Sequence, residues 1–168
     1  MNPFFNTPEK IAALSVVANA WRGTPFMPNA AVKGAGVSCQ KLVAAIYIET
    51  GVWPADKHIP EGPMDWSHAH KESLVEKFMA EQTEFVLVPP AQSPAPGDML
   101  GIQIGGCIHH CGLLLTVGGR FIHCMRDGLG VQVGCTRDAT YLQRIKKVWR
   151  PVAPATLSTL NPQPSTRP

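Results

Sequence analysis

One cysteine stands where a short amphipathic helix is predicted to begin. Apolar residues repeat at three- and four-residue spacing after Cys39, and Gly51 supplies a C-terminal stop, which predicts a helix over residues 39–50. Ser38 is a suitable N-cap for that helix. The dipole and the unpaired amides of a first helical turn favour an anion, so they lower the pKa of a thiol there and can hold an oxyanion. Cys39 is therefore the candidate nucleophile.

A nucleophilic thiol needs a base, and two histidines on consecutive predicted strands are candidates. If Gly118-Gly119 forms a two-residue hairpin turn, His110 and His123 share one face of the sheet. In that register His123 lies opposite Leu114, about 13 Å along the strand from His110 and too far for a hydrogen bond. A turn shifted toward Thr116-Val117, with the glycines in a bulge, keeps the shared face and closes the gap. The shared face is a prediction, and the contact is a hypothesis.

A metal site is the competing interpretation of this region. The same alternation places Cys107, His109, Cys111 and Cys124 on the opposite face, where they could bind zinc. Alternate strand residues are about 7 Å apart, however, which is wide for tetrahedral sulfur ligands, and the sequence contains no Cys-x-x-Cys pair. We expect cysteines packed between sheet and helix, and neither a metal nor a cofactor.

Two further helices are predicted around the Cys39 helix. Thr7, Pro8 and Glu9 form a helix start, and its apolar stripe continues to Gly23. The Gly/Pro/Ala-rich segment 24–37 is predicted to be an ordered loop without regular structure, and residues 52–63 form a second, proline-punctuated loop. The segment from Met64 to Gln82 has helical apolar spacing and predicts a third helix.

The second half of the chain changes to short strands. Segments rich in β-branched and aromatic residues, separated by Pro/Gly turns, lie at 84–88, 99–104, 108–117, 120–125, 130–133 and 145–150. Helices followed by an antiparallel meander indicate an α+β fold. We expect a single domain over residues 1–152 and a Pro/Ser/Thr-rich tail over 153–168.

Length, charge and hydropathy indicate which classes of protein the chain can belong to. A chain of 168 residues with 45% hydrophobic residues fits one globular domain. A net charge of +3 without a run of basic residues makes nucleic acid a poor candidate partner. No apolar stretch is long enough to span a membrane, and the N-terminus lacks the pattern of a signal peptide, so we expect cytoplasmic synthesis with reduced thiols.

Five motifs together resemble a known family. They are, in chain order, Trp21-Arg22-Gly23-Thr24-Pro25-Phe26, Gly36-Val37-Ser38-Cys39 before a helix, Pro96-Gly97-Asp98 before a strand, His110-x-Gly112, and Gly119-Arg120-Phe121-Ile122-His123. In this order and spacing they resemble the NlpC superfamily of papain-like cell-wall cysteine peptidases, over about residues 8–152. The Lys33-Gly34 approach to the cysteine, the missing signal peptide and the ending at residues 144–151 look most like phage-tail and gene-transfer-agent members.

The resemblance implies roles that agree with those argued from the residues. Cys39 would be the nucleophile, His110 the general base, and His123 the third polar residue that orients the imidazole. Family members of this kind cut peptidoglycan stem peptides, often after D-γ-glutamate and before the diamino acid. The resemblance thus implies a papain-like cysteine peptidase or amidase acting on peptidoglycan peptides, with phage-tail-like assembly proteins as candidate partners and the virion tail as a candidate location.

The departures from the family pattern concern substrate binding. Members usually have Asp before the cysteine, Ser-Gly after it and a tyrosine in the upstream motif, whereas this chain has Ser38, Gln40, Lys41 and Phe26. In many members the Asp, Ser and Tyr hold the free amine of the first alanine of the stem peptide. Phe26, Ser38 and Gln40 are therefore the predicted substrate-binding residues, and we expect no strict preference for a free N-terminal alanine, because a hydroxyl does not replace a carboxylate's charge.

Two alternatives remain open. The altered binding residues also fit a catalytically weak structural or adaptor module of a tail or secretion assembly. A papain-like acyltransferase would use the same residues and differ only in the acceptor.

Overall fold

Helices come first in the chain and an antiparallel sheet follows, as the computed structural model shows for residues 2–126 and 130–154. The elements of the first half are α1 (Pro8–Ala20), β1 (Ala31–Val32), β2 (Gly36–Val37), α2 (Cys39–Glu49), α3 (Trp66–Ala69) and α4 (Leu74–Ala80). The predicted tail lies almost entirely outside the described residues, so it stays a prediction. No helix in the described part of the chain has the length and apolar character needed to cross a membrane.

The second half forms a six-stranded sheet. Its strands are β3 (Phe85–Leu87), β4 (Met99–Ile104), β5 (Cys107–Leu114), β6 (Arg120–Met125), β7 (Gly130–Cys135) and β8 (Ile145–Pro151). They pair in the order β3-β8-β4-β5-β6-β7, and every pair is antiparallel. The predicted α+β fold is confirmed, and the strand boundaries differ from the prediction by at most three residues.

Apolar side chains bury both faces of the sheet. The main cluster joins α1, α2 and α4 to one face, with α2 packed on β5 and β6. A smaller cluster on the other face contains Leu100, Ile102, Leu114 and Phe121. Tyr141 covers this cluster from a short helix, α5 (Ala139–Leu142), which the sequence patterns did not predict.

The first helix starts as predicted, but the third does not form as one piece. Thr7 caps α1 by accepting a hydrogen bond from the Lys10 amide at 3.3 Å. In place of a helix over Met64–Gln82 the chain forms α3 and α4, with His70 extended between them. The break has a tertiary cause: the Ser67 carbonyl accepts from the Gly106 amide at 2.8 Å, and the Ser73 hydroxyl, which caps α4, donates to the Ile108 carbonyl. Contacts with the β4–β5 turn therefore override the helical pattern.

The segment 24–37 contains a small hairpin, contrary to the prediction of no regular structure. β1 and β2 pair antiparallel over two residues each. The Val37 amide donates to the Pro25 carbonyl and the Met27 amide donates to the Val37 carbonyl, at 3.0 and 3.1 Å. These bonds hold Phe26 beside the start of α2.

The hairpin between β5 and β6 turns at Val117-Gly118, one residue earlier than Gly118-Gly119, which shifts the register by two residues. The Gly119 amide donates to the Thr116 carbonyl at 3.0 Å, and Gly119 has φ +88°, a left-handed conformation that favours glycine. His123 consequently lies opposite Gly112 rather than Leu114. The register with a two-residue turn at the glycines is therefore wrong, and the shift considered as its alternative brings His123 two positions from His110.

A bulge at His109 changes the phase of β5. His110 pairs with Ile102 and Ile108 pairs with Gln103, so His109 is the extra residue. Ile108 and Cys111 therefore both join the main cluster, which puts Cys107 out of phase with Cys111. The prediction that Cys107 and Cys111 share a face is wrong. Among the described residues, no three His, Cys, Asp or Glu side chains are grouped as a metal ion would require.

A buried ion pair anchors the start of β4. Arg150 on β8 donates to both carboxylate oxygens of Asp98, at 2.9 and 2.7 Å, and the two side chains are almost fully buried. The Asp98 carboxylate also accepts from the Ala95 amide, and Arg150 donates to the Ser93 carbonyl. The Pro-Gly-Asp motif therefore fixes the strand next to β5, which carries His110.

Candidate active site

Cys39 is the first residue of α2, as predicted, and its side chain is 9% exposed. The amides of this first turn have no partner within the helix, so they face the end where the thiol lies. Ser38 occupies the N-cap position, but its hydroxyl forms no capping hydrogen bond and is buried without a partner. The predicted capping role of Ser38 is wrong, which leaves a polar atom free beside the thiol.

The surroundings of Cys39 favour a thiolate. A hydrogen bond from the Cys111 thiol, the positive charge and hydrogen bond of His110, and the Cys111 amide together hold the pKa of Cys39 well below its ordinary value, against the opposing effect of burial. The same hydrogen bond and burial raise the pKa of Cys111 well above its ordinary value, so Cys111 remains a thiol and a donor. Within the pair, Cys39 is the more acidic thiol and Cys111 is the hydrogen-bond donor.

The two predicted histidines are in direct contact. Nε2 of His110 lies 3.0 Å from Nδ1 of His123, and their rings meet edge to face. Burial, and then the charge of His110, lower the pKa of His123 to about 3, so this ring is neutral at physiological pH. Because Nε2 of His110 is engaged with His123, Nδ1 is the ring nitrogen left for Cys39. The hypothesis of contact between the histidines is confirmed.

One cleft exposes the candidate nucleophile and base together. It has a volume of about 300 Å³, and its lining contains Cys39, His110 and the three predicted substrate-binding residues, Phe26, Ser38 and Gln40. His123 does not line this cleft, since it lies behind His110 and is 1% exposed. The Gly62 amide donates to the Asn29 side chain at 3.3 Å, and both residues border the cleft, so the loop 52–63 is tied to its opposite wall.

Gln40 separates this cleft from a second cavity. Its side-chain amide donates to the His109 carbonyl at 3.2 Å, and both residues line both spaces. The second cavity has a volume of about 260 Å³ and a largely apolar wall that includes Val43, Trp53, Leu74, Phe78 and Met79. It lies between α2, α4 and the loop 52–63, which Lys41 holds by donating to the Ile59 carbonyl at 2.8 Å.

Two residues at the site were not predicted from the sequence to take part in catalysis. Cys111 follows His110 directly, and the packing of α2 on β5 places its thiol beside Cys39. The hydroxyl of Tyr141 lies 3.4 Å from Nε2 of His123. The sequence signal for Tyr141 is faint: it is one of two tyrosines, in a segment without a clear period.

Comparisons with solved structures identify the fold. No protein-family model matches the sequence, and no curated protein is significantly similar to it. The NlpC/p60 domain of the peptidoglycan hydrolase SagA superposes with a TM-score of 0.52 at 18% identity, covering 82% of this chain and 96% of that one. The peptidoglycan hydrolase RipB of Mycobacterium tuberculosis gives 0.54 at 20% identity, covering 90% and 69%.

A third solved structure agrees. A lipoprotein-like member of the NLP/P60 family from Staphylococcus aureus subsp. aureus Mu50 gives a TM-score of 0.57 at 17% identity, covering 90% of this chain and 44% of that one. The element order and the antiparallel sheet match this architecture. The chain therefore has the NlpC/p60 fold.

Proposed function

We propose that this chain is a cysteine peptidase or amidase that hydrolyses peptide bonds of peptidoglycan through Cys39, His110 and His123. The observation that carries the proposal is the cleft in which a thiol of lowered pKa meets a histidine that a second, neutral histidine orients. The similarity in fold to peptidoglycan hydrolases supports the class of substrate.

In the first half of the reaction the thiolate of Cys39 attacks the carbonyl carbon of the scissile amide. The negative charge that develops on the carbonyl oxygen is stabilised by amides of the first turn of α2. As the C–N bond breaks, His110 gives its Nδ1 proton to the departing amine, which leaves a thioester on Cys39. His123 keeps the imidazole of His110 oriented by accepting from its Nε2–H.

In the second half water replaces the amine. Neutral His110 takes a proton from the water as it attacks the thioester carbonyl, and the C–S bond breaks to release the carboxylic acid. Cys39 leaves as a thiolate and His110 is again protonated, so the starting ion pair is restored.

The residues next to Cys39 in the cleft support broader substrate selection than in members with an aspartate before the cysteine. The carboxylate in the lining, Asp65, is exposed and pairs with Arg126 at 3.7 Å. The hydroxyl of Ser38 and the ring of Phe26 carry no charge, so neither attracts the ammonium group of an N-terminal alanine as a carboxylate does. We expect stem peptides with and without a free N-terminal amine to be cleaved at similar rates. A carrier of phage-tail type remains a prediction from the sequence.

The proposal is tested by alkylation of each cysteine with iodoacetamide as a function of pH, measured by mass spectrometry. Cys39 is expected to react with a midpoint well below about 8.5, the value of a free thiol, and His110→Ala should raise that midpoint. Half-buried Cys135 is the internal reference. Release of soluble peptides from purified peptidoglycan should be lost in Cys39→Ala. A Cys39 no more reactive than Cys135 would overturn the enzymatic proposal in favour of an adaptor module.

The apolar cavity behind Gln40 favours a second candidate function, acyl transfer. A volume of about 260 Å³ with an aromatic and aliphatic wall suits an alkyl chain, and Cys111, which contacts Cys39, is part of that wall. In this reaction an amine or alcohol takes the place of water at the thioester. Incubation with a p-nitrophenyl ester series of rising chain length, with and without added amine, separates the functions. Transfer predicts a preference for long chains and an amide product, and hydrolysis predicts neither.

A further inference from the structure

The second ring nitrogen of His123 faces one hydroxyl group. Nδ1 of His123 lies 3.0 Å from Nε2 of His110, and Nε2 of His123 lies 3.4 Å from the hydroxyl oxygen of Tyr141. The rings of His123 and Tyr141 meet edge to face with centroids 5.3 Å apart. Cys39, His110, His123 and Tyr141 therefore form a continuous series of contacts from the cleft to α5.

The number of protons on the His123 ring determines which of its nitrogens donates and which accepts. A neutral imidazole carries one N–H, so one ring nitrogen donates and the other accepts. When Nε2 of His110 is protonated, as it is in the thiolate–imidazolium pair, Nδ1 of His123 must accept. The single proton of His123 then resides on Nε2, where it needs an acceptor because the ring is 1% exposed.

Tyr141 has the position and the neutral hydroxyl group that such an acceptor needs. Its ring packs edge to face on Phe121 at 4.9 Å, and burial raises the pKa of its hydroxyl, so the group stays neutral and its oxygen accepts. Gly134 preserves the space around this contact, since a Cβ there would lie 3.2 Å from Nε2 of His123 and 2.9 Å from the ring of Phe121.

We propose that Tyr141 is a positioning residue of the site: its hydroxyl oxygen accepts the Nε2–H of His123 and so holds the tautomer in which His123 accepts from His110. The proposal deepens the proposed function and rests on it. No bond is formed or broken at Tyr141. It acts through His123 on the stability of the ion pair between Cys39 and His110.

The test uses Tyr141→Phe, which removes the hydroxyl and keeps the ring. Tyr47→Phe is the matched control, since Tyr47 is the other tyrosine of the chain and its hydroxyl donates to the Gly97 carbonyl, away from both histidines. Long-range ¹H–¹⁵N spectra of the histidine side chains give the tautomer of His123 at neutral pH. Alkylation of Cys39 by iodoacetamide gives the pH profile of the thiol.

The wild type is expected to show His123 protonated at Nε2. In Tyr141→Phe this signal should change, the midpoint of the Cys39 profile should rise, and alkylation below the midpoint should slow about three- to tenfold, as loss of one hydrogen bond predicts. Tyr47→Phe should match the wild type in both measurements. Circular dichroism verifies that each variant is folded.

Two results would overturn the role of Tyr141: a wild-type His123 protonated at Nδ1, or a Tyr141→Phe variant with unchanged tautomer and alkylation profile. Failure of the proposed function is a different result, namely a wild-type Cys39 no more reactive than Cys135. The tautomer measurement is independent of that outcome, because it needs neither substrate nor a reactive thiol.

Discussion

Replacing Cys111 separates its contribution to the reactivity of Cys39 from that of His110. The hydrogen bond from the Cys111 thiol is the largest cause of the lowered pKa of Cys39. Cys111→Val fills nearly the same apolar space and removes the donor, whereas Cys111→Ser keeps a donor at the same place. Cys107→Val is the control, because Cys107 is a buried cysteine on the same strand that does not influence Cys39.

The expected shift of the Cys39 midpoint follows from the strength of a hydrogen bond to a charged group. A hydrogen bond to a charged group contributes about 1.5–3 kcal/mol, and about 1.4 kcal/mol corresponds to one pH unit of midpoint. The Cys111 amide and His110 continue to stabilise the thiolate in the variant, so we expect the lower end of that range. Cys111→Val should thus raise the midpoint of Cys39 alkylation by about one pH unit and slow alkylation about tenfold at pH values below it.

Rates of iodoacetamide modification at Cys39, followed by mass spectrometry from pH 5 to pH 9, measure this directly. Cys111→Ser and Cys107→Val should both keep the wild-type midpoint. If Cys111→Val also keeps it, the thiol of Cys111 does not stabilise the thiolate, and His110 with the helix N-terminus must account for the reactivity.

Three further outcomes are expected from urea denaturation. Asp98→Asn should lower the free energy of unfolding by about 3–5 kcal/mol, because it leaves Arg150 buried without its partner, and a loss below about 1 kcal/mol would contradict this. Ser38→Ala should lower the free energy of unfolding by less than about 0.5 kcal/mol, because its hydroxyl has no partner. Ser73→Ala removes two hydrogen bonds and should lower it by about 1–3 kcal/mol. Equal losses in the two variants would contradict the difference between the two caps. His123 has a pKa of about 3 against an unfolded value near 6.5, so its stabilisation is complete above pH 6.5 and is lost as the pH falls toward 3. The wild type should therefore lose up to about 1.4 kcal/mol per pH unit more than His123→Gln over that window, and parallel curves would show that His123 titrates normally.

The sequence predicted the position of Cys39 because every signal for it is local. Spacing of apolar residues, the stop at Gly51 and the composition before Ser38 all act within one helix and its approach. The start of α2 at Cys39 agrees. The hydroxyl of Ser38 does not follow from such signals, since its burial without a partner depends on the walls of the cleft.

The relation between the two histidines was predictable in part. Alternation along strands depends only on residue numbers, so the shared face of His110 and His123 survived a two-residue change in register. The register itself depends on which glycine takes the positive φ of the turn, and here it is Gly119. Two adjacent glycines make that choice ambiguous from sequence.

The misassigned elements share a non-local cause. The break between α3 and α4 depends on Ser67 and Ser73 bonding to the β4–β5 region, and the phase of β5 depends on the bulge at His109. Neither the helix break nor the bulge changes the spacing of apolar residues in its own segment. Both belong to the part of the chain that shapes the cleft wall, where bulges redirect side chains.

The serine before Cys39 connects specificity with reactivity. An aspartate at this position, as in the NlpC pattern, would put a carboxylate next to the thiolate at one helix N-terminus, and two like charges at that distance raise each other's pKa. Ser38 avoids this repulsion, so Cys111, His110 and the helix N-terminus stabilise the Cys39 thiolate with no second negative charge at the preceding residue. The same exchange leaves at this position a hydroxyl that can donate or accept. We therefore expect a more acidic thiol and a wider choice of peptide than with an aspartate at this position.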